Sequence, residues 1–167
     1  MPTARSTTTA HKTTTTRRSK THAIKLLTED HANVKKLFKE FEKLAKKNGG
    51  GTEKRRLAEQ ICKELTVHAQ LEEEIFYPAA RDALDEDLLL NEATVEHESA
   101  KELIAQIQSM EASDPMFDAT VIVLGEYVNH HVEEEENEIF PKAEKAKMDF
   151  EEIGHDIAER KAILTEQ

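Results

Sequence analysis

Apolar residues recur every three or four positions along most of this chain, the spacing of a helix with one buried face. Between Ala23 and Lys47 the stripe is Ile24, Leu27, His31, Val34, Phe38 and Phe41. Between Glu53 and Ala80 it is Leu57, Ile61, Leu65, His68, Glu72 and then Phe76 or Ile75. Glu86 to Glu111 gives Leu90, Ala93, His97, Ala100, Ile104 and Ile107, and Pro115 to Lys147 gives Val121, Leu124, Val128, His131, Glu135 and Ile139. The stops and starts agree with this division. "NGGG" at 48–51 ends the first helix, Thr52 is placed to cap the second, and Pro78 falls in its last turns. Asp114 followed by Pro115 reads as the cap and first residue of the fourth. A shorter amphipathic segment, Phe150 to Leu164, follows. Short connections make consecutive helices antiparallel neighbours. The expectation is an all-α fold: an antiparallel up-down-up-down four-helix bundle over 23–147, with an extra C-terminal helix within 148–167.

Each stripe is interrupted near its middle by a histidine, and in the second and fourth helices a glutamate follows one turn later on the same face. One core histidine is commonly just a hydrogen-bonded packing residue. Four of them in four helices, with two inward carboxylates, is a different pattern. Ionisable groups cost several kcal/mol each to bury unless they are paired or bound to a metal. The spacing also repeats, with His97 lying 66 residues after His31 and His131 lying 63 after His68. "TEDHANVKKL" (Thr28–Leu37) aligns with "TVEHESAKEL" (Thr94–Leu103). The chain therefore reads as two helical hairpins, each giving one His and one His-x-x-x-Glu. Paired hairpins make a pair of metal sites from His31, His68, Glu72, His97, His131 and Glu135.

Imidazole and carboxylate suit Fe, Mn or Zn, and the thiolate set of a structural zinc site is missing. Four imidazoles and two carboxylates exceed what one catalytic ion needs and fit two. If both glutamates bridge, each ion receives two nitrogens and two oxygens, and an oxo or hydroxo bridge makes five ligands. One position per ion is left for dioxygen, peroxide or nitric oxide, and for that reason iron is the first choice. Ferritin-like bundles use two Glu-x-x-His motifs. Here the single such motif is Glu152–His155, outside the bundle.

Composition narrows the classes further. The 167 residues suit one domain, and five Gly and four Pro are few for anything but a helical chain. Net charge is −11, so the acidic body is a poor partner for nucleic acid. Residues 1–22 differ: basic, Thr-rich and poor in large apolar residues, they read as a disordered tail, either solubilising or able to dock on a polyanion or on the acidic body. No apolar run reaches membrane-spanning length, and the lone Cys62 points to a reducing, cytoplasmic compartment. A monomer is expected, because one bundle consumes every stripe.

"DH" at 30–31, "HAQLEE" at 68–73 with "FYP" at 76–78, "EH" at 96–97, and "HVEEEE" at 131–136 with "FP" at 140–141 carry a resemblance. They are similar to the hemerythrin-like, or HHE cation-binding, family over about Ala23 to Lys147. The resemblance implies a four-helix bundle holding a non-haem di-iron centre and assigns ligand roles to the same six residues. Oxygen-carrying hemerythrins have a further histidine one turn after the third-helix ligand, where this chain has Lys101. That places it nearer bacterial-type members, among which iron or oxygen sensing, peroxide removal and nitric oxide responses are represented. Those carriers space their last carboxylate five residues after the histidine, which makes Glu136 the alternative to Glu135. Analogy with Glu72 favours Glu135.

Other residues have plainer readings. His130 points about 100° away from His131 and is a surface residue, as are His155, Glu73, Glu74, Glu133 and Glu134. Tyr127, one turn before His131, is an edge-of-core residue or a phenol near the site. Phe76, Tyr77 and Phe140 seal one end of the bundle, and Cys62 packs on another face. Two functions compete: a binding, sensing or scavenging protein for small oxidants or iron, and a catalase-like di-iron enzyme. A metal-free structural bundle is the third possibility.

Overall fold

The computed structural model describes residues 22–47 and 50–166. The disordered-tail reading and the Asn48–Gly49 stop signal fall outside those residues. The described residues are helical, with no strand among them. Helix α1 is Ala23–Lys46 and α2 is Gly51–Leu71. A five-residue π turn, Glu72–Phe76, joins α2 directly to α3, Tyr77–Ala83. Helix α4 is Asp87–Ser109. Helix α5, Phe117–Glu134, passes through a second π turn, Glu135–Ile139, into α6, Phe140–Lys145. Helix α7, Phe150–Thr165, closes the chain.

The bundle follows from the stripes. α1 packs beside α2 and α4 beside α5, and the two hairpins meet through α1 with α5 and α2 with α4. α7 lies across α1 and α2 and over the first π turn. Its buried residues are Gly154 and Ile157. Two apolar clusters result. One is built around Phe41, Ile61, Ile107, Phe117 and Leu124, the other around Leu27, Leu71, Phe76, Leu90, Ile139 and Ile157. Full burial of a side chain such as Phe41 or Leu124 contributes about 1.5–3 kcal/mol. The six ionisable residues named above are buried as well. Where α1 crosses α5, the ring of Phe38 lies over Gly125, and a Cβ there would stand 3.0 Å from Phe38 Cδ1.

Some helix ends differ from the sequence expectation. α2 starts at Gly51, after Gly50 in the left-handed region (φ 76°) that glycine tolerates; Thr52 is already helical. α5 starts at Phe117 instead of Pro115. The Asp114 side chain is spent one turn earlier, accepting from the Met116 N–H at 2.8 Å. Asp149 caps α7 by accepting from the Glu152 N–H at 3.0 Å. The carbonyls of Ile107 and Met110, at the end of α4, accept from the Arg55 guanidinium of α2.

The π turns are the main departure from a straight helix, and proline supplies their cause. Pro78 and Pro141 have no N–H to give, and the proline ring clashes with the carbonyl four residues back. Each helix widens by one residue just before its proline. The Tyr77 N–H then bonds to the Glu72 carbonyl and the Phe140 N–H to that of Glu135, both five residues back. Along a regular helix a residue five positions on points about 140° away. The widened turn brings Tyr77 and Phe140 to the inside, where both are buried.

Candidate metal centre

Four helices each turn one imidazole inward at a common level: His31 from α1, His68 from α2, His97 from α4 and His131 from α5. Glu72 and Glu135, the first residues of the two π turns, point between them and are fully buried. The Nε2 atoms meet in pairs, His31 with His68 at 3.1 Å and His97 with His131 at 3.0 Å. Glu72 spans the pairs. Its Oε1 is 2.9 Å from His68 Nε2, and its Oε2 is 3.2 Å from His97 Nε2. Glu135 Oε2 lies 3.2 Å from His31 Nε2 and 3.7 Å from His131 Nε2.

Two groups of donor atoms result, His31–His68–Glu72–Glu135 and Glu72–His97–His131, with the atoms of each group within 4.8 Å of one another. Each can hold a cation, and Glu72 belongs to both. The six residues singled out in the sequence are thus brought together.

A second ring of carboxylates holds the imidazoles from outside. His31 Nδ1 donates to Glu136 at 2.9 Å, His97 Nδ1 to Glu73 at 2.9 Å and His131 Nδ1 to Glu96 at 2.7 Å. Asp30 sits 3.5 Å from His68 Nδ1 and is itself paired with Lys161 of α7. The pattern is cyclic: α1 holds the histidine of α2, the first π turn that of α4, α4 that of α5, and the second π turn that of α1. An outer acceptor keeps the proton on Nδ1 and leaves the Nε2 lone pair facing inward, as metal-ligating histidines require.

The charges respond to this packing. Burial would lower the His31 imidazole, but the carboxylates of Glu135 and Glu72 overcome it and raise it to about 10. Burial likewise opposes His68, which Glu72 and Asp30 raise to about 9. Burial opposes the charged form of Glu72, yet His68, His131 and His31 hold its carboxyl well below the usual range. Three carboxylate oxygens at the centre, both of Glu72 and Oε2 of Glu135, nevertheless accept no well-aligned hydrogen bond, although imidazole Nε2 atoms lie 2.9–3.9 Å from them.

Tyr77 is the residue that sequence reasoning misplaced. Read as an end seal, it instead donates its hydroxyl to Glu135 Oε1 at 2.7 Å, and its oxygen lies 3.3 Å from His131 Nε2 and 3.4 Å from His97 Nε2. Burial and the nearby Glu135 and Glu72 push the phenol well above its ordinary range. Its counterpart in the other half, Phe140, stacks on His31 at 6.0 Å. A sequence signal was present: each glutamate precedes its proline by the same six positions, Glu72 to Pro78 and Glu135 to Pro141.

Tyr127, considered for this role, is 51% exposed. Glu73 is not simply a solvated face, since it bonds His97. Glu136, the alternative to Glu135, belongs to the outer ring. His130 is exposed, between Glu96 and Glu134 on the surface. His155 lies on α7 beside Asp156 and Glu159, outside the centre. Cys62 is buried in an apolar cluster, where burial pushes its thiol up to about 11.

An up-down-up-down bundle with four inward histidines and two inward glutamates, repeated across its two hairpins, defines a class of helical cation-binding domain. The chain matches the Hemerythrin HHE cation binding domain over residues 22–143, and it belongs to that family. A crystal structure of a hemerythrin HHE cation binding domain-containing protein from Mycobacterium kansasii has the same fold, with a TM-score of 0.70 over 86% of each chain at 23% identity. A DNA nickase of Nostoc sp. is 38% identical over 81 residues, 48% of this chain but 23% of that protein. The chain thus spans less than a quarter of that relative's length. Among the described residues no helix is long and apolar enough to cross a membrane.

Proposed function

We propose that this is a non-haem di-iron protein in which His31, His68, His97, His131, Glu72 and Glu135 hold two iron ions, and that the pair binds, senses or scavenges dioxygen or a related small oxidant such as peroxide or nitric oxide. The observation that carries the reading is the set of orphaned oxygens on Glu72 and Glu135. A buried acceptor without a donor costs about 1–3 kcal/mol, and more when charged. Cations among the Nε2 atoms remove that cost. Nitrogen and carboxylate donors without thiolate suit iron. Bound there, iron would supply redox change and open positions for a small ligand. The chain's own residues do the rest. Glu136, Asp30, Glu73 and Glu96 fix the imidazoles by their Nδ1 atoms, and Tyr77 keeps a proton at Glu135 Oε1. The thiol of Cys62, alone in the sequence, fits a reducing compartment, the cytoplasm. A monomer fits stripes already used within one bundle. The net charge of −11 argues against a phosphodiester substrate for this body.

The second reading is peroxide disproportionation at the same centre, and Tyr77 favours it by placing a proton-bearing oxygen against Glu135 and two imidazoles. Protein expressed with added iron should carry about two irons per chain, from the count of donors. Oxygen evolved rapidly from peroxide, and lost in His68→Ala, establishes the enzyme. Iron-loaded protein that leaves peroxide untouched but changes its optical spectrum with dioxygen or nitric oxide leaves the binding role. Purified protein with no iron after supplementation removes both.

A further inference from the structure

We infer that Lys161 of helix α7 is a positioning residue that loosens metal at the His31–His68 end of the centre, acting on His68 through Asp30. Resting on the metal-centre reading, this places a control element outside the bundle. Helix α7 begins at Phe150, beyond residues 22–143 that match the family, yet it lies across α1, α2 and the first π turn. Gly154 and Ile157 are its buried residues. One turn on from Ile157, two cations reach the supports of the centre. Arg160 binds Glu74 of the first π turn at 2.7 and 3.1 Å, and Lys161 pairs with Asp30, the residue before His31.

Asp30 divides its carboxylate, with Oδ1 on Lys161 and Oδ2 toward His68 Nδ1. The contact with His68 is 3.5 Å, against 2.7–2.9 Å for the three other outer carboxylates. At 3.5 Å a hydrogen bond is at its limit. Glu96 stands at the matching place in the second hairpin, directly before its own helix's histidine, and holds His131 at 2.7 Å. The other oxygen of Glu96 faces His130 at 3.6 Å, where Asp30 has a lysine. Glu73 also shares itself with a lysine, Lys101 at 2.9 Å, and still holds His97 at 2.9 Å. Glutamate is one methylene longer and reaches both partners, and Lys101 is exposed and divided between Glu73 and Glu98. The side chains of Lys161 and Asp30 are only 32% and 14% exposed, so their attraction is less screened by solvent.

An outer carboxylate fixes the ring of a metal-bound imidazole and raises its basicity. Held by Lys161, Asp30 gives His68 little of either, and affinity falls for a cation among His31, His68, Glu72 and Glu135. A metal on Nε2 makes the Nδ1 proton a stronger donor, which draws Asp30 toward His68 and away from Lys161. Coupling is reciprocal, so metal at this end loosens Lys161 by the same factor that Lys161 loosens metal. The hold of α7 on α1 is then weakest when the centre is full, which gives the proposed sensing role a moving part.

Titration of chelator-treated protein with cobalt(II) against a competing chelator reads the affinity, and the visible spectrum of the bound ion reads its coordination. Lys161→Met keeps the stem and removes the charge. It should tighten cobalt about tenfold, the low end of what one outer partner of a metal-bound histidine controls. Arg160→Met removes an equal charge from the same helix and should change affinity by less than about twofold. In an Asp30→Asn background the gain from Lys161→Met should fall to about twofold or less, because its route is gone. Amides around Lys161 should exchange hydrogen faster in cobalt-loaded wild type than in the metal-free protein, while those of α1 and α2 slow. Unchanged or weaker affinity in Lys161→Met, an equal gain in the Asp30→Asn background, or α7 amides that slow on loading would overturn the inference and leave the metal centre standing. Wild-type protein that takes up no cobalt would instead remove the metal-centre reading, and the inference with it.

Discussion

Metal-free protein should lose stability as pH rises from 6.5 to 10, opposite to what metal loading does. The perturbation is removal of metal with a chelator, followed by urea unfolding across that range. Without metal, His31 and His68 keep their protons because Glu72, Glu135 and Asp30 surround them, reaching about 10 and about 9 from an ordinary 6.5. A raised imidazole stabilises the fold fully below 6.5, and that contribution disappears as pH climbs through the folded value. At about 1.4 kcal/mol per pH unit, His31 alone carries about 5 kcal/mol and His68 about 3. Both lean on Glu72, so the two do not add, and a total loss of about 3–5 kcal/mol is expected. Glu72 has the other sign: its contribution is complete above 4.5 and lost only in acid, so it does not blur the window. Metal competes with protons for Nε2, so the loaded protein gains on the metal-free form as pH rises. Far-ultraviolet circular dichroism follows the unfolding, with midpoint and slope read separately. Metal-free stability that is flat or increasing between pH 6.5 and 10 would refute the pairing of these imidazoles with the buried carboxylates.

Three further outcomes follow from the same geometry. Glu96→Ala frees His131 Nδ1 and should weaken metal binding about 10–100-fold in a chelator competition, with the helical spectrum unchanged. Tyr77→Phe strips Glu135 Oε1 of its donor and should cost the metal-free protein about 1–3 kcal/mol in urea unfolding. Helix α7 should be held by packing more than by charge: Ile157→Ala costs about 2–5 kcal/mol, whereas Arg160→Ala, which breaks an exposed pair with Glu74, leaves the urea midpoint nearly unchanged.

Much of the bundle was legible because the stripes keep helical spacing for four helices and place His31, His68, His97 and His131 at one level. Glu72 and Glu135 were legible for the same reason, each one turn after a histidine on the same face. Tyr77 was not, because projecting it at a constant angle per residue assumes a regular helix. Pro78 breaks that regularity, and the widened turn swings the phenol inward. The outer carboxylates were illegible for a different reason. Glu136 and the histidine it holds, His31, are 105 positions apart, and the pairing exists only once α5 and α1 are side by side. Glu73 looked like part of a charge run until α4 was seen to pack against it. Asp114 shows the limit of capping rules: its side chain satisfied a turn N–H before the helix began.

The central claim is that six side chains hold two metal ions that share Glu72. Anomalous scattering from crystals of iron-loaded protein tests it most directly. Two iron peaks per chain are expected, one among His31, His68, Glu72 and Glu135, and one among Glu72, His97 and His131. A single peak at the surface beside His130, or none within the bundle of an intact fold, would contradict it.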